Sequence, residues 1–187
     1  MEQKKLIGVL FCLIFPFLVL LLSYSITLSL LPLTPAQHNT IAYLQGKEEL
    51  TVKYVPLELS HLQDVQKVMK YANYLFYALL LLAAWCIIYT KRDKEQLQRL
   101  LKYGGISTVA VIGLFFLGLL LSFNTIFAAF HQIFFPQGNW QFPADSVLIQ
   151  TFPLEFFVTI SLSIFGLSLG LGMGMFILSK FLIQKPR

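Results

Sequence analysis

Residues 6–33 read LIGVLFCLIFPFLVLLLSYSITLSLLPL, without one charged side chain. A bilayer core is roughly 30 Å thick and is crossed by about 20 mostly apolar helical residues, so this stretch is long enough to span it. Three more follow: 71–90 (YANYLFYALLLLAAWCIIYT), 103–130 and 152–181. The whole chain agrees. It is 57% hydrophobic and 12% charged, with a mean hydropathy of +0.71, whereas soluble domains run at about 45–50% and about 25%. These features predict an all-α integral membrane protein with four transmembrane helices, forming a single membrane-embedded domain over 1–187. Lys4 and Lys5 precede the first span as in a signal peptide. The apolar run exceeds the roughly 7–15 residues of a signal core, and no small-residue cleavage site follows, so it reads as a retained anchor.

The basic residues orient the spans. Lys4, Lys5, Lys91, Arg92, Lys94, Arg99, Lys102, Lys180, Lys185 and Arg187 fall on one side; Lys47, Lys53, Lys67 and Lys70 fall on the other. The excess of Lys and Arg on cytoplasmic loops places both termini and the 91–102 loop in the cytoplasm, with 34–70 and 131–151 extracellular. The pI near 9.2 is then a topological signal. No nucleic-acid partner is expected, because the positive charge is split among short segments. Cys12 and Cys86 lie inside spans and define neither a disulfide framework nor a metal spacing.

Between the spans the chain predicts a small extracellular helix/strand cap. Ile41 and Leu44 suggest a short helix that turns at Gly46. In LTVKYVPLEL (50–59), alternation predicts a short strand ended by Pro56. SHLQDVQKVMKYA (60–72) has Leu62, Val65, Met69 and Ala72 at helical spacing, with Ser60 as N-cap, and runs straight into span two. The 91–102 segment is a charged helical link. Pro16 is expected to kink span one. Gly166, Gly170 and Gly174, four apart in span four, are expected to let a neighbouring helix approach. Span three, about 42 Å long as a helix, outruns the hydrocarbon core and lifts His131 to the outer interface.

Two of the three histidines therefore sit just outside spans on the same side. His61 and Asp64 are three apart and share a helix face, where a carboxylate can fix an imidazole tautomer. His131 lies among Phe127, Phe130, Phe134 and Phe135. His38 reads as a solvated loop residue. HExxH, CxxC, GxSxG and phosphate-binding glycine loops are all absent, so neither a metal nor a cofactor is expected. Imidazole titrates near pH 6.5 and can both take and give a proton at neutrality. The residues alone leave three classes open: an acyl-transferring enzyme, a small lipid hydrolase and a non-catalytic membrane accessory protein.

ELSHLQDVQKVM (58–69), followed at a distance by FHQIFFPQGNWQFPADSVLIQTFP (130–153), resembles the lipoprotein intramolecular transacylase family of Gram-positive bacteria, and the four-span layout extends the likeness to most of the chain. The resemblance implies an acyltransferase that moves the sn-2 acyl chain of a diacylglyceryl-cysteine lipoprotein to the cysteine α-amino group, giving a lyso-form lipoprotein. It implies His61 and His131 as the catalytic pair, a diacylated lipoprotein and membrane lipid as partners, and a multi-pass cell-membrane protein whose site faces outward. Asp64 is expected to support the pair, and Trp140 and Tyr43 to shape the outer pocket. The chain departs from the family pattern at Gln66, where a Lys is expected. The oligomeric state is left open.

Overall fold

The computed structural model describes residues 2–181 and is built of helices alone over that range. In chain order they are α1 (Glu2–Leu30), α2 (Pro35–Leu44), α3 (Pro56–Thr90), α4 (Lys94–Phe134), α5 (Val147–Thr151) and α6 (Leu154–Phe181). Four of them, α1, α3, α4 and α6, are long and apolar enough to cross a membrane. Lys185 and Arg187, two of the residues used to orient the chain, lie outside the described residues.

The residues group into two compact units. One takes α1 through Ser29, residues 75–117 and α6 from Leu162; the other takes residues 30–74 and 118–161. In the first, Ile7, Phe11, Phe15, Leu18 and Val19 of α1 meet Ala83, Cys86 and Leu100 in an apolar core. Phe11 and Phe15 stack at 4.7 Å, and the bare backbone of Gly104 makes room for the Phe11 ring, since a Cβ there would lie 2.5 Å from it. α1 continues through Pro16, which is buried.

The close approach of α6 differs from the expectation. Gly166, Gly170 and Gly174 face open space; the tight contact is at Gly172, where a Cβ would lie 2.9 Å from Thr108, and at Gly105, whose Cβ would meet the Gly172 carbonyl at 2.7 Å. Ser168, Gly172 and Ser179 form the buried face of α6. The expected stripe is offset from that face by two residues, about 200° around a helix with 3.6 residues per turn, and so points away.

In the second unit, α2 starts on Pro35 with Thr34 as N-cap in a capping box with Gln37. The strand expected at 50–55 does not form. A strand needs a ladder partner, and no second strand exists among the described residues; the segment's backbone is satisfied by a side chain instead. Asn39 donates to the Glu49 carbonyl and accepts from the amides of Thr51 and Val52. Gly46, at φ 70°, makes the expected turn. α3 starts at Pro56, four residues before the expected cap Ser60, because Glu58 accepts the Val55 N–H with one carboxylate oxygen. The other oxygen accepts the buried Leu148 N–H, fixing the start of α5. α3 then runs unbroken into its apolar stretch, and the 91–102 link is a turn followed by the first turns of α4. α4 has one non-helical residue, Ser122 (φ −158°, ψ 79°).

Candidate active site

His61 stands in the second turn of α3 and His131 in the last turns of α4, so the end of one long helix and the start of another carry the two imidazoles. Their rings lie 6.1 Å apart, inclined at 26°. Both are buried, with 7% and 8% of their surface exposed. Burial of a polar ring needs a matching enclosure, and here the enclosure is aromatic. Phe135 packs edge-on to His61 at 4.7 Å and reaches His131 at 5.5 Å. Phe142 lies 5.7 Å from His61. Phe127 and Trp140 cover His131 at 4.1 and 4.9 Å. A cavity of about 290 Å³, lined by Gln132, Phe135, Pro136, Gly138, Trp140 and Gln141, shares two of these walls.

The tautomer of His131 follows from its partner. Nδ1 lies 2.8 Å from the Phe127 carbonyl, one helical turn back. A carbonyl only accepts, so Nδ1 carries the proton and donates, leaving the Nε2 lone pair free. His61 Nδ1 is buried and has no hydrogen-bond partner among the described residues.

Asp64 is engaged by three donors: Lys67 at 2.9 Å, Gln137 at 2.7 Å and Asn139 at 2.9 Å. Two of these come from the segment after α4, so the carboxylate ties that segment to α3. Trp140 sits on His131 at 4.9 Å. Tyr43 enters through its backbone: its carbonyl accepts from Gln66 Nε2 at 2.9 Å, so Gln66 joins α2 to α3. His38 is exposed on α2. Asn139 and Phe142 are additions to the expected set. The signal for Asn139 was its place, an amide between Gly138 and Trp140 in an aromatic-rich segment. No cluster of three or more His, Cys, Asp or Glu converges among the described residues.

Arranged in this way, two imidazoles share a mostly apolar enclosure, at least one of them with an open basic nitrogen. Such a site can pass a proton between a bound amine and a bound ester oxygen.

The family model described as lipoprotein intramolecular transacylase Lit matches residues 22–157. No curated protein matches the chain. Among solved structures, the membrane integral lipoprotein intramolecular transacylase Lit from Bacillus cereus, determined in meso, superposes with a TM-score of 0.84 over 98% of this chain and 97% of that one, at 20% identity. Two forms of the same protein carrying a histidine substitution, to alanine and to arginine, superpose with TM-scores of 0.81 and 0.80, also at 20% identity, over 98% of this chain and 94% and 93% of theirs. At that identity the structures establish a shared fold.

Proposed function

The chain belongs to the lipoprotein intramolecular transacylase family, and from that premise we propose that it moves the sn-2 acyl chain of a diacylglyceryl-cysteine lipoprotein onto the α-amino group of the same cysteine, using His61 and His131. It is a multi-pass membrane acyltransferase that acts on lipoproteins. The observation that carries the finer reading is the pair of buried imidazoles 6.1 Å apart.

The chemistry follows from what amide formation requires. An N-terminal ammonium is no nucleophile until it loses a proton, and an imidazole nitrogen takes that proton. The freed amine attacks the sn-2 ester carbonyl, the N–C bond forms, and the C–O bond breaks. As the C–O bond breaks the attacking nitrogen sheds a second proton. The leaving alkoxide receives one of the two through the imidazole pair and the other goes to solvent, so amide formation from the ammonium releases one proton overall. Donor and acceptor belong to one substrate molecule, and their proximity supplies much of the rate. Phe127, Phe135, Trp140 and Phe142 keep water from competing for the ester. Asp64 supports the pair by holding the segment that carries Trp140 and Phe142.

Mass spectrometry of lipoprotein N-terminal peptides, from cells with and without the gene, tests the reading. The expected result is a transfer to the amine without change in mass. Loss of one acyl chain marks a hydrolase, and identical peptides mark a non-catalytic protein.

The site is proposed to face the outside, since ten of the fourteen Lys and Arg residues fall on the opposite side. With Cys12 and Cys86 replaced, a cysteine at position 47 or 138 should react with a membrane-impermeant reagent on intact cells, and one at position 95 only after lysis. The opposite pattern inverts the orientation and removes the substrate from reach.

A further inference from the structure

Two buried polar atoms near the imidazole pair lack partners among the described residues: Nδ1 of His61 and Oδ1 of Asn139. An unpaired buried donor and an unpaired buried acceptor are each unfavourable alone, and pairing relieves both. We infer that Asn139 is a positioning residue for His61, held by Asp64 so that its amide oxygen receives the proton on His61 Nδ1.

The orientation of the amide is set by chemistry. Asp64 Oδ2 lies 2.9 Å from Asn139 Nδ2, and Ser60 Oγ is 3.4 Å from the same nitrogen. A carboxylate accepts only, so nitrogen faces Asp64 and the amide oxygen is directed elsewhere. The backbone supports this placement. α4 ends in a turn in which the Gly138 N–H bonds the Phe135 carbonyl, and Gly138 takes φ 77°, a conformation that other residues avoid. Asn139 follows directly. Gln137, from the same turn, braces Asp64 at 2.7 Å.

With Nδ1–H directed to Asn139, the lone pair of His61 sits on Nε2. His131 reaches the same tautomer through the Phe127 carbonyl. Two different acceptors thus prepare both imidazoles alike. Asp64 acts on His61 through Asn139, which explains why its own contacts are with Lys67, Gln137 and Asn139. The inference rests on the transacylase reading only for its effect on rate; the tautomer is a property of the protein.

The test is nuclear magnetic resonance of the full chain in phosphatidylglycerol vesicles, with ¹⁵N-labelled histidine and the His61 signals assigned by their loss in His61→Ala. Wild-type neutral His61 is expected as the Nδ1–H form. Asn139→Leu, which keeps volume and removes the acceptor, should mix in the Nε2–H form, and Asp64→Asn should do so to a lesser degree. Turnover should fall roughly 10- to 100-fold in Asn139→Leu, the range for loss of an outer partner of a functional imidazole, with KM little changed. A wild-type His61 in the Nε2–H form overturns the inference without any variant, as does an unchanged tautomer in a folded Asn139→Leu protein. If His61→Ala transfers acyl chains as well as wild type, the dyad reading fails while the tautomer result stands.

Discussion

The two units of the protein differ in how far along the chain their polar side chains reach. In the unit built on α1, hydroxyls bond within their own helix: Thr90 to the Cys86 carbonyl, Thr108 to Gly104, Ser168 to Ile164 and Ser179 to Phe176. The long-range Lys4–Asp93 ion pair of this unit joins side chains open to solvent. In the unit that holds the histidines, polar side chains reach far along the chain: Glu58 to Leu148, Gln37 to Thr151, and Asp64 to Gln137 and Asn139. A helix in lipid satisfies its own backbone, so its neighbours need only fit by shape. Irregular segments such as 45–55 and 135–146 have no such ladder, and each free N–H or C=O needs a partner brought from elsewhere.

The sharpest break between the units is expected in activity. His61→Ala and His131→Ala should each lower acyl transfer by about 10²–10⁴-fold, the usual weight of a proton-transfer group, with helix content unchanged by circular dichroism. Near-normal formation of lyso-form lipoprotein by either variant would remove that residue from the mechanism.

Stability should divide next. Glu58→Ala leaves the Leu148 N–H buried without an acceptor, at about 1–3 kcal/mol for that group, and frees the Val55 N–H as well. The two tryptophans, Trp85 and Trp140, fall one in each unit, so fluorescence-monitored unfolding of Trp85→Phe and Trp140→Phe backgrounds reports each separately. The Trp140 signal should be lost at lower temperature in Glu58→Ala, while the Trp85 signal moves less. Equal shifts of both would mean the units unfold as one.

Gly105→Ala reverses the test. Its Cβ meets backbone atoms of Gly172 and Phe176 at 2.7 Å, neither of which can rotate away, so the variant should lose about 1–3 kcal/mol and shift the Trp85 signal first. Gly174→Ala, which meets nothing within 4 Å, is the control and should leave stability unaltered. If Gly174→Ala proved the more damaging, α6 would be packed by the face that points to open space here. A further strain is expected at Gly138→Ala, where a side chain at φ 77° costs about 1–2 kcal/mol. Its reduction in acyl transfer should be smaller than that of Asn139→Leu, and a larger one would show that the turn matters more than the amide it places.

The four spans, the amphipathic start of α3 and the candidacy of both histidines were legible in the residues alone, because apolar length and helical period act locally. The resemblance carried by 58–69 and 130–153 added the chemistry. Other features needed the fold. The glycine stripe of α6 was read from spacing, yet spacing cannot say which face of an apolar helix meets a neighbour, and Gly172 proved to be the contact. Alternation at 50–55 described a strand that had no partner to pair with, and Asn39 took the ladder's place. Asp64 stood at the right interval to orient His61 directly, but Gln137 and Asn139, more than seventy positions away, engage it first. Local sequence determined which segments cross the membrane. Only tertiary structure decided which polar atoms meet around the imidazoles, since those partners are chosen by where α3 and the segment after α4 converge.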